Sequence, residues 1–228
     1  MADGQMLVVT EVAPYTTGPA GVHGVLGQAA TALGELAAMC DLEPVRVPAV
    51  ADLSPDDLAS GVLALFTIGE TPFSAAQRQA MTEGWAAGRL SVLGVHSATD
   101  ACHTWPEYGQ LLGARFDGHP WTQSFRVEVV DRRHPATESL PADWSWHDEV
   151  YLFKDLRPDA RVLLALGDGQ VDLSAPGGRT PACGFPLAWC LEDGGRTFYT
   201  ALGHFPGAWE SPVFLGHLVG GLRWLRGG

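Results

Sequence analysis

Short, unbroken apolar runs alternate with helical patterns through the first half of this chain, and few architectures accept that order. Gln5–Thr10 (QMLVVT), Pro44–Val47, Val62–Thr67 (VLALFT) and Ser91–Val95 read as strands, rich in β-branched and aliphatic residues. Between them Gly24–Met39 and Ser74–Ala87 read as helices, the second with Ser74 as its N-cap and Gly88 as its C-terminal stop. A half-exposed strand would alternate apolar and polar residues. These runs do not, so both faces of their sheet must be covered, as happens when parallel strands are joined by crossover helices.

The second half reads differently. Phe125–Val130, Glu149–Phe153, Arg161–Leu166, Leu187–Leu191 and Arg196–Ala201 are strand-like and close together in sequence. The last two face each other across Glu192-Asp193-Gly194-Gly195, a hairpin pattern. A helix from Pro212 to Leu225 closes the chain. No repeat, low-complexity tract or charged linker separates the halves, so residues 1–228 are expected to form one domain, its sheet extended by an antiparallel excursion.

Composition narrows the partners. Apolar residues at 46% and charged residues at 18% can fill a sizeable core. A formal charge of −12 with no basic stripe argues against nucleic acid. The start of the chain lacks a basic segment followed by an apolar one, and no apolar run approaches the roughly 20 residues that span a bilayer, so a cytoplasmic location without membrane contact is expected. Cys40, Cys102, Cys183 and Cys190 have no CxxC spacing and read as reduced thiols, while abundant Ala, Gly and Arg with scarce Lys fit a GC-rich bacterial genome. Gly167-Asp168-Gly169 and Gly177-Gly178 do not make a dinucleotide loop, so no nucleotide cofactor is expected. The apolar C-terminal helix, with Phe214, Leu215, Leu218, Leu222 and Trp224, suggests a homodimer.

The most informative segment is Leu93-Gly94-Val95-His96-Ser97-Ala98, a strand running into a turn flanked by small residues. α/β folds build a nucleophile elbow this way, lifting one side chain above the carboxyl edge of the sheet. After it come Trp105-Pro106-Glu107-Tyr108, Leu111-Leu112-Gly113, Phe116-Asp117-Gly118-His119-Pro120, His134-Pro135, Asp148-Glu149-Val150-Tyr151 and Leu202-Gly203-His204.

That ordered set, from about Val62 to Leu225, resembles the ThuA-like (trehalose utilisation) family. The resemblance implies a flavodoxin-like, class I glutamine amidotransferase-like three-layer sandwich, mostly parallel at its centre. It also implies that His96 stands where those relatives carry a catalytic cysteine, and that His204 stands where they carry the histidine that activates it. An imidazole has no thiolate, so glutaminase chemistry is not expected. The first loop departs from the family, with Glu11-Val12-Ala13-Pro14-Tyr15 after the first strand and His23 as its nearest histidine.

Two chemistries suit histidines at a sheet edge. One is a divalent-metal site for zinc, manganese or iron, in which His96 and His204 are joined by His119, His147 or Glu149. The other is acid–base work by the same imidazoles with Glu149 as partner. Asp148 and Glu149 are adjacent on a strand, so only one can face the cleft above His96; Glu149 is the expected one. Trp105, Tyr108, His119 and Tyr151 are the expected substrate-binding residues; Trp121 and Trp209 could also stack on a sugar, though most such rings belong to cores. His103 and His217 read as surface or packing residues, and His134-Pro135 as a turn. Two functions follow from the resemblance: an enzyme, or part of one, that acts on a disaccharide or keto-sugar, or a non-catalytic module that binds sugar or serves oligomerisation.

Overall fold

The structure is a computed structural model that describes residues 4–15 and 24–227. In chain order its regular elements are β1 (Gln5–Val9), α1 (Leu26–Met39), β2 (Glu43–Val47), β3 (Gly61–Leu65), α2 (Ala75–Ala86), β4 (Leu90–Val95), α3 (Pro106–Leu112), β5 (Arg115–Phe116), β6 (Trp121–Val129), β7 (Trp144–Val150), β8 (Phe153–Lys154), β9 (Arg161–Leu166), β10 (Pro186–Asp193), β11 (Gly195–Thr200) and α4 (Pro212–Leu225). Short 3₁₀ turns at Val50–Asp52, Pro55–Leu58, His96–Asp100 and Pro206–Glu210 complete it.

Nine strands form one sheet in the order β2-β1-β3-β4-β11-β10-β9-β6-β7, and β5 pairs with β8 in a separate ribbon. From β2 through β11 the pairings are parallel; from β11 to β7 each is antiparallel. One sheet therefore runs through both halves of the sequence. The β10–β11 hairpin forms as expected, with Asp193 opposite Gly195 and Gly194 at φ 81° in the turn. Ser74 caps α2 reciprocally: its hydroxyl accepts from the Gln77 amide and the Gln77 side chain accepts from the Ser74 amide.

Two elements differ from the sequence reading. The strand expected at Glu149–Phe153 instead runs from Trp144 to Val150, and Phe153–Lys154 leaves to pair with β5. The reason is packing, because Trp144 and Trp146 lie against His217 and Phe214 of α4, anchoring the strand earlier than local periodicity suggests. The Trp105–Gly113 stretch holds a seven-residue helix, α3, that opens on Pro106 and ends at Gly113 with φ 94°.

The core has two parts, one on each face of the sheet. α1 and α4 cover one, burying Leu33, Leu36, Phe214, Leu218 and Leu222; α2 and α3 cover the other, burying Met81, Trp85, Tyr108 and Leu112. The apolar face of α4 that suggested a homodimer is thus spent inside the chain, with Phe214, Leu218 and Leu222 fully buried. The four cysteines are free thiols, buried except for the partly exposed Cys183. Among the described residues no helix is long and apolar enough to cross a membrane.

The sheet also has to curl. At about 4.8 Å per strand, the five steps from β4 to β7 would put these strands roughly 24 Å apart if the sheet were flat. Yet Tyr151, just past β7, touches His96, just past β4. The antiparallel strands fold back over α4 and return the end of β7 to the carboxyl edge of the parallel strands.

Candidate functional site

β4 and β11 are neighbours, parallel, with Thr200 paired to Val95. Residues that follow them in sequence emerge side by side, and this brings His96 and His204 together. His96 has φ 48°, a left-handed conformation that a non-glycine residue adopts at a cost of about 1–3 kcal/mol. The turn holds it there: the Tyr199 hydroxyl donates to the His96 carbonyl at 2.7 Å, and the His96 ring bonds through Nδ1 to the Ala201 carbonyl at 2.7 Å. Gly94 is required beside it, because a Cβ there would lie 2.9 Å from the Tyr199 ring. The elbow expected from the sequence is present as geometry.

A carbonyl can only accept, so His96 Nδ1 carries the ring hydrogen and Nε2 presents its lone pair. Around Nε2 stand the Tyr151 hydroxyl at 2.8 Å, His204 Nδ1 at 3.1 Å and Glu149 Oε2 at 3.4 Å. His204 Nδ1 is also 3.4 Å from Glu149 Oε2, and His119 Nδ1 is 3.6 Å from Glu149 Oε1. His96, Glu149 and His204 can therefore each offer one ligand atom to a common point. Of His119, His147 and Glu149, the residues expected to join His96 and His204, Glu149 lies nearest to both histidines, while His119, the most exposed of the four clustered residues, flanks its other oxygen. His147 turns away to Ser124 and Phe205.

Burial and charge fix the protonation states. Burial alone would raise the Glu149 carboxyl, but the close approach of the His96, His119 and His204 imidazoles outweighs it and holds it below the usual carboxylate range. His204 is pushed down by burial and by His96, against the opposing pull of Glu149 and Asp148. Burial, followed by the charges of neighbouring acidic groups, raises the Tyr151 phenol well above its ordinary value. At neutral pH the group is an ionised carboxylate among imidazoles, with a phenol that keeps its proton and donates it to His96.

Asp148 points to the other side of its strand, as alternation requires, yet it is not idle. It is fully buried, and its carboxylate accepts from the Trp146 indole at 3.0 Å and from the amides of Glu149 at 3.0 Å, Gly203 at 2.8 Å and His204 at 3.3 Å. Gly203 has φ 117°, which suits glycine, and its carbonyl accepts from the Trp209 indole at 2.9 Å. Sequence alternation alone gave no sign that Asp148 reaches across to this loop.

The other expected site residues separate. Tyr151 joins the cluster; Trp105 and Tyr108 do not. Tyr108 is fully buried beside Thr67, and Trp105 packs on Phe73 and Tyr108 with the Arg78 guanidinium over its ring. Both are core aromatic residues, as are Trp121 and Trp209. His96 is fully buried, and the centre meets solvent on the side of the partly exposed His204 and His119. An open cavity of about 750 Å³ lies between Asp117, Phe153, Lys154, Arg157 and Arg179, and none of the clustered histidines lines it. Cys102, the nearest cysteine along the chain, offers no substitute nucleophile, because burial pushes its thiol up to about 12. From the first loop, Tyr15 donates to Asp100 in the elbow turn at 2.5 Å; His23 lies outside the described residues.

Against known structures, this chain is similar to a ThuA-like protein of Bacteroides uniformis, with a TM-score of 0.75, 22% identity, and coverage of 98% of this chain and 92% of that one. A ThuA-like protein of Parabacteroides merdae gives a TM-score of 0.73 at 16% identity, covering 98% and 90%. A protein of Thermoplasma acidophilum described as a GMP synthase subunit gives 0.52 at 13% identity, covering 98% and 96%. These likenesses fix the fold as that of the class I glutamine amidotransferases, with histidine at the elbow. No curated protein matches the sequence. The family model described as ThuA, trehalose utilisation, matches residues 16–225, an extent that takes in both histidines, the Asp148-Glu149 strand and all but the first strand of the sheet. The chain belongs to the ThuA family.

Proposed function

We propose that this protein is an enzyme of carbohydrate metabolism whose centre is His96, Glu149 and His204 holding a divalent cation, with a disaccharide or keto-sugar as substrate. The family supports the carbohydrate role in general terms. The observation that carries the metal is the triangle of ligand atoms, with edges of 3.1, 3.4 and 3.4 Å. Bonds of about 2.0–2.2 Å in a tetrahedral shell would set ligand atoms about 3.3–3.6 Å apart, close to the spacing the three side chains already have. The donor set also fits, two imidazoles and a carboxylate, as does the bond from His96 Nδ1 to a backbone carbonyl, which orients a ligating histidine and raises its basicity.

Such an ion would supply Lewis-acid polarisation of a sugar hydroxyl or carbonyl oxygen. The protein's own groups do the rest. With the Nε2 lone pair of His96 given to the cation, the Tyr151 phenol would lose that acceptor and could donate its hydrogen bond to a substrate oxygen. His119, 44% exposed, stands at the entrance with Glu149 behind it, placed to exchange protons with substrate. Burial of His96 keeps bulk water from the centre.

The test is turnover of a panel of disaccharides and keto-glycosides by purified protein, with zinc, manganese or iron added. Activity on at least one, lost in His96→Ala, is expected. No turnover of any member, with sugar binding unchanged in His96→Ala, would favour the non-catalytic module instead.

A further inference from the structure

Asp148 is a fully buried carboxylate whose hydrogen-bond donors are all neutral N–H groups, with no lysine or arginine among them. Each oxygen takes two donors. Oδ1 accepts from the Glu149 and His204 amides, at 3.0 and 3.3 Å, and Oδ2 from the Trp146 indole and the Gly203 amide, at 3.0 and 2.8 Å. A bare carboxylate in such a place is expensive unless every lone pair is used, and here four donors use them.

The donors matter for where they sit. β7, which carries Asp148, and β11, which leads into Gly203 and His204, are not sheet neighbours; β10, β9 and β6 lie between them. No ladder hydrogen bond therefore sets the distance between Glu149 and His204. We propose that Asp148 does so: it is the positioning residue of the His96–Glu149–His204 centre, binding the amides of two of the three metal-ligating residues with one oxygen. The third, His96, is fixed separately by Ala201 and Tyr199. The Asp148 charge also lies beside the cluster, where it favours a bound cation.

The metal half of this inference rests on the reading of the centre as a cation site; the positioning half does not, and the experiment keeps them apart. In metal-free protein labelled with ¹⁵N-histidine, the imidazole signals of His204 in Asp148→Asn are expected to shift and broaden, while those of His134, in the 131–140 loop, stay in place. Trp146→Phe, which removes one donor and leaves the carboxylate, should move them the same way to a smaller extent and serves if Asp148→Asn does not fold. In a chelator-competition titration with zinc, Asp148→Asn is expected to bind about 10–100-fold more weakly than the parent protein. Leu33→Ala, a core truncation in α1 far from the site, should leave affinity unchanged despite its lower stability. His204 signals that superimpose on those of the parent in both variants would overturn the positioning role. Failure of the parent protein to bind zinc, with the His204 shifts still seen, would overturn the cation reading and leave Asp148 as the residue that sets the imidazole.

Discussion

His96 joins two demands that pull against each other. Its backbone sits at φ 48°, where the turn must hold it, and its ring sits fully buried, where its nitrogens must be satisfied. Tyr199, Ala201 and Tyr151 meet both. His204 and Glu149 complete the proposed ligand set, whereas His119 meets the other oxygen of Glu149 and stacks on Tyr151. This difference predicts unequal costs. His204→Ala should weaken zinc binding by more than about 100-fold, as loss of a direct ligand, and His119→Ala by about 10–100-fold, as loss of an outer partner. Zinc titration of the two variants checks it; equal losses would place His119 in the ligand set. Much of this site was legible from single residues. A strand ending Gly-Val-His and another followed by Leu-Gly-His are local signals, and they point to His96 and His204. The substrate-facing aromatic residues were not, because an indole in a core and an indole on a sugar have the same sequence signature, and Trp105 and Tyr108 proved to be core.

At the scale of elements, α4 and the 131–140 loop meet through two buried histidines. His217 on the helix donates from Nδ1 to the Ala136 carbonyl at 2.8 Å, and His134 in the loop accepts the Ala136 amide on its own Nδ1 at 3.1 Å. Both Nε2 atoms are buried without a partner. Burial pushes each imidazole down to about 4, from an ordinary value near 6.5. The lowered value fixes the direction. Above about pH 6.5 both rings are neutral whether the chain is folded or not, and stability is full. As pH falls from 6.5 toward 4 the unfolded chain takes up protons that the folded chain refuses, and stability is lost, on the order of 3 kcal/mol for each histidine. Urea unfolding at pH 7 and pH 4.5 should show that drop, and a constant midpoint would contradict the buried neutral pair. The same contact explains why β7 begins earlier than the sequence pattern suggests. Trp144-Ser145-Trp146 becomes strand because its rings meet α4, some seventy residues away, and no local pattern carries that information.

For the whole molecule, the parallel half of the sheet was readable because each strand and crossover helix follows the last along the chain. What the sequence could not convey was the return of the antiparallel half, which carries β7 across about 24 Å of flat sheet to stand beside β4. That return brings Asp148, Glu149 and Tyr151 to histidines delivered by β4 and β11, so the site depends on the curvature of the sheet as much as on its residues. The fold is that of the amidotransferases, and a carboxylate and imidazoles from three strand ends meet at its elbow. If those groups form a metal centre, the protein must retain a cation that depends on them. Elemental analysis of tag-free protein, equilibrated with zinc, manganese or iron and then desalted, should give about one ion per chain, lost in both His96→Ala and His204→Ala. No retained ion in the parent protein, or an ion retained equally by both variants, would contradict it.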